Sequence, residues 1–524
     1  MSLEPNKLPD DAESLRQIIS TQQHEIDHLK EMVRLLQNEI FGRRSESLSS
    51  IHPNQLPLFG SDTPVEPIQE DEKIVVPEHT RKKRGRKPLP EDLPRVDVVH
   101  DLPEEEKRCA CGAELSRIGE EVCEKLDYIP AKVRVIRHIR PKYACKHCEG
   151  VEDDGPTVKI APPPVQLIPK SNATEGLLAH IAVSKFADAL PLYRQQKIFD
   201  RLGVELSRST LANWMIQAAA RCGPLIDLMA QEIRGGPMIN IDESPLQVLN
   251  EPGRSNTAKS YMWVFYGGPL DAPVVLYRYH PTRSGEIALK IVDGYRGYIQ
   301  SDGYIGYDHL SEKPDITLLG CMVHARRKFM AVVKVRKKKR GNKAATKGLA
   351  DEALVFFKEL YHIEKYARQN ELTIEQTKDL RQEKSKPILD RFKAWLDTYH
   401  SQVPPKSLIG KAIQYTLNQW ERLVVYIEAG FLKPDNNVAE NAIRPFVLGR
   451  KNWLFAGGPN GADASATFFS LIETAKANCL EPYAYLRYLF ENIPLAQNES
   501  DFLALLPNRI DKAMLSASAK GVVD

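Results

Sequence analysis

The change from helical to strand-like patterning after Gly235-Gly236-Pro237 constrains the fold more than any other feature of this sequence. The pattern then predicts three consecutive strands, MINIDESPLQVL, YMWVFYG and VVLYRYH. In each, apolar residues alternate with polar ones or form a short apolar run between turn residues. SGEIALKIVDGY predicts a helix and GYIQSDGYIGY a fourth strand, and ITLLGCMVHARRKFMAVV predicts a strand that runs into a basic helix. This order of elements predicts a mixed α/β sheet.

Two aspartates lie at functional positions of that predicted sheet. Asp242 lies late in the first strand and Asp302 lies at the end of the fourth. Three strands, a helix, and then a further strand and helix form the order of an RNase H-like core, in which both carboxylates would reach one edge of the sheet. An acid at a strand end is also a common turn residue, so neither aspartate defines a site alone.

A third acid is needed if these carboxylates hold metals for phosphodiester chemistry. Two-metal catalysis requires several hard oxygen ligands, and carboxylates serve Mg²⁺ or Mn²⁺ best. Glu440 supplies one on a short predicted helix, after residues 333–430, which predict a helical insertion. The alternative is local, because Asn437 and Glu440 have the spacing of a capping box and Arg444 lies one turn further, where it can pair with Glu440.

Residues 1–45 predict a helix that associates with a second copy of the chain. Between Leu15 and Ile40 the apolar residues follow a heptad, with Ile or Val at one core position and Leu at the other. This pattern favours a parallel two-stranded coiled coil, and hence a homo-oligomer. A single amphipathic helix packed on its own domain is the alternative.

Residues 46–95 predict a flexible linker, rich in Pro, Ser and acids, that contains the basic block RKKRGRK. Arg84, Arg86 and Lys87 in this block resemble an AT-hook, since Gly permits close approach to a narrow minor groove and Arg seeks its negative potential. A solvated basic surface is the alternative.

Residues 96–155 predict a small zinc-binding domain. The chain has eight cysteines, and close pairs of cysteines in a cytosolic protein favour metal ligands over disulfides. Four thiolates suit one structural Zn²⁺, and buried cysteines without a metal are the alternative. The first pair has the tight C-x-C spacing, so Cys123 or His147 can replace one of its ligands. The four expected ligands are Cys109, Cys111, Cys145 and Cys148.

After a Pro-rich linker at 156–172, residues 173–233 predict a helix-turn-helix-like DNA-binding domain. Ser207 would cap its second helix, with Leu211 and Trp214 facing the core. A plain helical hairpin is the alternative. The side chains expected to face DNA are Arg208, Ser209, Thr210 and Asn213.

Length and composition agree with several such units in one protein. A chain of 524 residues exceeds one domain several times, and 42% hydrophobic with 27% charged residues excludes a disordered or fibrous protein. No stretch is apolar over the roughly 18 residues that would span a bilayer. We therefore expect a cytoplasmic, nucleoid-associated protein without a membrane partner.

The motifs in order resemble one family closely. The motifs are, in order, IDESP, SDGYIGY, CMVHARRKF, NNVAENAIRPFVLGRKNWLFAGG and ETAKANCLEPYAYLRYLF, and upstream of them lies the segment RKKRGRKPLPEDLPR…YIPAKVRVIRHIRPKYAC. All of them are similar to segments of the DDE transposases of the insertion sequence 66 (IS66) family. The similarity covers nearly the whole chain and departs from the commoner pattern at the C-x-C pair. It implies a zinc finger, a helix-turn-helix-like region and a catalytic core at 234–332 and 431–480, followed by a C-terminal helical segment at 481–524.

The resemblance also implies a reaction. The family's three acids fall on Asp242, Asp302 and Glu440, and the enzyme acts on the terminal inverted repeats of a mobile element, with companion proteins from the same element. The rival interpretations are a zinc and helix-turn-helix DNA-binding protein without catalysis, and a nuclease that cuts without joining. The residues that we expect to position phosphates are His324, Arg326, Arg327, Arg444, Arg450 and Lys451.

Overall fold

The computed structural model describes residues 133–144, 158–340 and 348–515, together with Gln22. The chain divides into two compact units, and the smaller one, Arg44–Ile139, is described only at 133–139, which are exposed and lack regular secondary structure. Within the described residues no helix is long and apolar enough to cross a membrane. The predicted coiled coil lies outside these residues, as do Arg84, Arg86, Lys87, Cys109, Cys111, Cys145 and Cys148.

The larger unit begins with a short antiparallel strand pair and four helices. The pair is β1 (Lys142–Ala144) with β2 (Val158–Ile160), and the helices are α1 (Glu175–Phe186), α2 (Leu192–Arg201), α3 (Arg208–Arg221) and α4 (Gly223–Arg234). Ser207 caps α3 as predicted, because its side chain accepts a hydrogen bond from the Thr210 N–H. Leu211 and Trp214 are buried, as the helical pattern required.

A mixed sheet follows, which confirms the predicted α/β core. Its strands are β3 (Met238–Val248), β4 (Lys259–Gly267), β5 (Val274–His280), β6 (Gly297–Gln300) and β7 (Ile316–Leu319), in the spatial order β5-β4-β3-β6-β7. The first three are antiparallel, whereas β6 and β7 run parallel to β3. Helix α5 (Glu286–Ile291) connects β5 to β6, and a 3-10 helix (Ile305–Glu312) precedes β7.

The glycine pair at 235–236 explains why the pattern changes where it does. Gly235 ends α4, and a Cβ atom added to Gly236 would lie 2.1 Å from the carbonyl oxygen of Gly268. Only glycine therefore allows the chain to turn from α4 into β3 against the end of β4.

Six helices follow β7, and five of them contribute to a second hydrophobic core. The six are α6 (Met322–Arg340), α7 (Leu349–Gln369), α8 (Ile374–Leu380), α9 (Lys386–His400), α10 (Leu408–Asn418) and α11 (Trp420–Val424), with a π-helix at Arg381–Ser385 and a 3-10 helix at Val425–Ile427. Phe329, Phe357 and Phe392 meet at its centre, with ring centroids 5.2 to 6.4 Å apart. These helices fill the stretch in which a helical insertion was predicted.

The remaining elements return to the sheet. They are α12 (Asn437–Trp453), β8 (Phe455–Ala456), α13 (Pro459–Ala477), α14 (Pro482–Asn492), a 3-10 helix (Ile493–Leu495) and α15 (Glu499–Ala504). Helix α13 covers the free edge of β5, where Ser470 and Thr474 accept hydrogen bonds from the N–H groups of Tyr277 (2.7 Å) and Val275 (2.9 Å). An edge strand that would otherwise offer unpaired donors is thus satisfied. Helices α1–α4 share this core with the sheet and the C-terminal helices.

Helix α12 corrects one prediction, because it is not short. It has 17 residues and continues through Pro445. A proline inside a helix costs about 3 kcal/mol. The buried face of the helix, including Ile443 and Phe446, offsets that cost by packing on the sheet core.

Candidate active site

Strand register brings the two predicted aspartates together. Asn240 on β3 pairs with Gln300 on β6, and the two strands are parallel. Asp242 and Asp302 each lie two residues further along the chain. Side chains two residues apart in a strand share a face, so Asp242 on β3 and Asp302 just beyond β6 come to the same edge of the sheet.

The third acid approaches this edge from α12. Glu440 lies in the first turn of α12. Burial raises the pKa of Asp242 to about 7, and the negative charges of Glu243, Asp302 and Glu440 add to the rise. The Glu243 N–H opposes it by donating a hydrogen bond to Asp242 Oδ1 at 2.9 Å. Asp242 therefore lies within the electrostatic field of both other predicted acids.

Three buried amides join the elements that carry these acids. The Asn240 amide donates to Gln300 Oε1 and to Asn436 Oδ1, at 2.9 Å each, and the Asn436 amide donates to the Ile241 carbonyl at 2.9 Å. Gln300 in turn donates to the carbonyls of Gly320 (3.0 Å) and Lys433 (2.9 Å). These three side chains are 0 to 4% exposed. Asn240 and Gln300 each lie two residues before an aspartate, and Asn436 lies four residues before Glu440. The amides fix β3, β6 and the start of α12 relative to one another.

This network replaces the capping box that the sequence offered as an alternative. Asn436, not Asn437, precedes the helix, and no side chain caps it. The Asn436 side chain instead accepts a hydrogen bond from the Asn240 amide and donates one to the Ile241 carbonyl.

Glu440 makes its contacts with α6 rather than with its own helix. Arg327 Nη2 donates to Glu440 Oε2 at 2.7 Å, and His324 Nδ1 lies 3.7 Å from Glu440 Oε1. Glu440 therefore pairs with Arg327 of α6 and not with Arg444, the partner that the sequence offered as an alternative. Burial lowers the pKa of His324, and the positive charge of Arg327 lowers it further. The negative charge of Glu440 opposes this decrease.

Cys321 adds a thiol to this side of the site. It is 2% exposed and accepts a hydrogen bond from the Asn436 N–H at 3.3 Å. Among the residues that the structure describes, one group of metal-ligand side chains has its ligand atoms all within 4.8 Å of one another, and it consists of Cys321, His324 and Glu440.

The loop after β6 holds Asp302 in place. The Tyr304 N–H donates to Asp302 Oδ1 at 3.0 Å, and the Tyr415 hydroxyl of α10 donates to the Asp302 carbonyl at 3.1 Å. Gly303 has φ +75°, and a Cβ atom there would lie 3.0 Å from the Gln419 side chain. Glycine at position 303 is therefore favoured by both conformation and space.

Glu243, next to Asp242, has different partners. It accepts hydrogen bonds from Arg283 Nε at 2.6 Å and from the Tyr307 hydroxyl. The Arg283 guanidinium also lies 3.6 Å from the centroid of the Tyr304 ring. Burial raises the pKa of Glu243, and Tyr307 and Arg283 oppose the rise. Sequence reasoning missed Arg283 and Tyr307, since no local pattern marks a partner 40 or 64 residues away.

The predicted DNA contacts fall on three helices. Arg450 is half-buried and donates to Ser244 Oγ at 3.0 Å, two residues beyond Asp242 on β3. On α3, Arg208, Ser209 and Asn213 are exposed and Thr210 is half-buried. On α6 and α12, Arg326, Arg327 and Lys451 are exposed, whereas His324 and Arg444 are half-buried.

The raised pKa of Asp242 predicts a pH-dependent stability. Its pKa is 3.8 ordinarily and about 7 in the folded protein, so the folded state holds this proton more tightly. The contribution to stability is complete below pH 3.8 and is lost as pH rises through 7. We expect Asp242→Asn to raise the thermal unfolding midpoint at pH 8 without added divalent ions, and to raise it by a smaller amount at pH 5.

Asp315→Asn is the matched control for this measurement, because the Asp315 side chain is 55% exposed and its partner is the exposed Arg296. Equal midpoints for Asp242→Asn and the parent protein at both pH values would contradict the prediction.

Comparison with known proteins agrees with this architecture. Residues 170–464 match a family model described as "Transposase IS66 family", which covers more than half of the chain. Three further models match residues 28–98 ("Transposase C of IS166 homeodomain"), 106–149 ("zinc-finger binding domain of transposase IS66") and 470–508 ("IS66 C-terminal element"). The α/β core and the domains around it are those of a transposase. The chain belongs to the IS66 family.

Curated relatives of similar length match almost the whole chain. An uncharacterized protein of Sinorhizobium fredii, y4jD, is 35% identical over 94% of this chain and 95% of its own length. A second from the same organism, y4qI, is 33% identical over 94% of this chain and 90% of its own length. The zinc-finger match spans the four cysteines predicted as zinc ligands, and a transposase with such a domain implies a DNA partner.

Proposed function

We propose that this protein is a DDE transposase, which cuts DNA at terminal inverted repeats and joins the released 3′ ends to target DNA. The observation that carries the proposal is geometric: Asn240 pairs with Gln300 two residues before Asp242 and Asp302, and Asn436 at the start of the Glu440 helix is hydrogen-bonded to Asn240 and to the Ile241 carbonyl. The strand order β5-β4-β3-β6-β7, with β6 and β7 parallel to β3, supports an RNase H-like catalytic core. That core comprises residues 234–332 and 431–480, and residues 333–430 form its helical insertion.

Two Mg²⁺ or Mn²⁺ ions fit the charge of this site. Asp242 and Asp302 have no ion pair within the described part of the chain, and Glu440 Oε1 is buried without a hydrogen-bond partner there. Carboxylate oxygens suit hard divalent cations, and as far as the structure describes the chain, Glu440 alone of the three acids is paired, with Arg327 at its Oε2 atom. Asp242, Asp302 and Glu440 would hold the ions, which supply Lewis-acid polarisation of the phosphate and an activated water.

The basic side chains around the acids orient the DNA. Arg326 and Arg327 on α6, and Arg444 and Lys451 on α12, would contact the phosphate backbone of the bound DNA. In the first step, the oxygen of water attacks phosphorus and the 3′ oxygen of the element end leaves. In the second step, that 3′-hydroxyl attacks a target phosphate and a target 3′ oxygen leaves. Neither step requires a covalent protein intermediate.

The remaining domains bind DNA and a second copy of the chain. One structural Zn²⁺ is held by Cys109, Cys111, Cys145 and Cys148, and the N-terminal helix forms a coiled coil. Arg84, Arg86 and Lys87 contact the minor groove, and α3 presents Arg208 and Asn213 to DNA. Companion proteins of the same element join the complex.

The proposal is tested with the full chain and a labelled duplex that contains the inverted repeat flanking its coding region. We expect nicking at the 3′ end of the element with Mn²⁺ and none with a chelator, and joined products when a target plasmid is added. Binding without nicking would favour a non-catalytic DNA-binding protein derived from a transposase. Nicking without joined products would favour a nuclease.

A further inference from the structure

We propose that Cys321, His324 and Glu440 form a binding site for one borderline transition ion, Zn²⁺ in particular, which differs in ligand chemistry from the all-carboxylate set. The three residues lie at the contact of two helices. Cys321 directly precedes α6, and His324 lies in the first turn of that helix, three residues further. Residues three apart share a helix face, so the thiol and the imidazole both point towards Glu440 on α12.

The distances suit shared coordination better than direct contact. His324 Nδ1 and Glu440 Oε1 are 3.7 Å apart, which is too long for a hydrogen bond. Two ligand atoms that each lie about 2.1 Å from one zinc ion in tetrahedral geometry are separated by about 3.4 Å. Cys321 Sγ, one ring nitrogen of His324 and one carboxylate oxygen of Glu440 all lie within 4.8 Å of one another. A small adjustment of the side chains would bring all three to one ion.

Both facing atoms lack partners, although both are buried. His324 Nδ1 and Glu440 Oε1 have no hydrogen-bond partner among the described residues. The other carboxylate oxygen, Glu440 Oε2, accepts a hydrogen bond from Arg327 at 2.7 Å. A buried polar atom without a partner costs about 1–3 kcal/mol. One cation between these atoms would satisfy the carboxylate oxygen and the imidazole nitrogen together.

The identity of the ligands selects the ion. A sulfur, a nitrogen and an oxygen ligand favour Zn²⁺ or Co²⁺, whereas Mg²⁺ prefers oxygen alone. On binding, Cys321 releases its thiol proton to solvent, His324 binds as neutral imidazole and Glu440 as carboxylate. Burial raises the pKa of the Cys321 thiol to about 11, and the hydrogen bond from the Asn436 N–H to Cys321 Sγ, at 3.3 Å, opposes this rise.

Occupancy of this site would oppose catalysis, and this consequence rests on the proposed function. Glu440 belongs to both ligand sets, so an ion held by Cys321 and His324 withdraws Glu440 from Asp242 and Asp302. Zn²⁺ should therefore inhibit cleavage that Mg²⁺ supports, and the inhibition should be weaker in a Cys321→Ser variant.

Binding is tested with Co²⁺, without DNA. The full chain is first given one equivalent of Zn²⁺, which the four thiolates of the zinc finger are expected to take, and is then titrated with Co²⁺. We expect one further equivalent to bind, with a thiolate-to-cobalt charge-transfer band that Cys321→Ser abolishes. Cys222→Ser is the matched control, because Cys222 is a fully buried free cysteine outside the site, and it should leave the band unchanged.

A second variant keeps the test decisive if Cys321→Ser does not fold. His324→Gln should weaken Co²⁺ binding at least tenfold while the circular dichroism spectrum stays that of the parent protein. Absence of the band in the parent protein, or its survival in both site variants, would overturn the proposal. Normal Co²⁺ binding in a protein that never nicks DNA would instead count against the proposed transposition reaction alone.

Discussion

Replacement of Asp302 by Asn is expected to slow nicking of the element end by about a thousandfold or more. Removal of one metal-binding carboxylate forfeits several kcal/mol of transition-state stabilisation, and about 1.4 kcal/mol corresponds to a tenfold change in rate. An asparagine at 302 still offers an oxygen to the Tyr304 N–H, which donates to Asp302 Oδ1 at 3.0 Å. The loop should therefore fold as before, and the loss should be chemical. Single-turnover nicking of the labelled duplex in Mn²⁺ measures the effect.

Asp315→Asn makes the same chemical change outside the acidic set and should keep the parental rate. Glu440→Gln should behave like Asp302→Asn. If Asp302→Asn cuts at the parental rate in the same preparation, then Asp302 does not belong to the catalytic set, and the assignment of all three acids loses its basis.

Replacement of Asn436 by Leu is expected to weaken Mn²⁺ binding roughly 10- to 100-fold, the range observed when a group that orients metal ligands is removed. Leucine has a similar size but can neither donate to the Ile241 carbonyl nor accept from Asn240, both at 2.9 Å in the parent protein. Each buried polar group left unpaired costs about 1–3 kcal/mol, so the thermal unfolding midpoint should also fall. Titration of Mn²⁺ followed by electron paramagnetic resonance measures the affinity.

Gln195→Leu is the control that separates loss of metal-ligand positioning from a general loss of protein stability. Gln195 is 2% exposed, and its amide donates to the carbonyls of Ile181 (3.3 Å) and Leu190 (3.0 Å), among the helices that precede the sheet. It should lose comparable stability and keep the parental Mn²⁺ affinity. Equal losses of affinity in both variants would reduce the amide network to a purely structural role.

The local patterns of the sequence were sufficient for most of the elements. VVLYRYH became the seven-residue strand β5 with the expected ends, and Ser207 capped α3. These features depend on neighbouring residues, through alternation of side chains along a strand and a side-chain acceptor at a helix start. Helix α12 was underestimated for the opposite reason, because burial of its apolar face against the sheet outweighs the local effect of Pro445.

The sequence by itself determined the mixed sheet, the helices that follow it and the identity of the acids worth testing, since periodicity and turn residues act over short stretches of chain. Only the tertiary structure decided what surrounds each acid. Arg327 rather than the nearby Arg444 pairs with Glu440 across 113 residues, and Asn240 bonds to Asn436 across 196. Such contacts depend on strand register and on the packing of distant helices, and no local pattern encodes either.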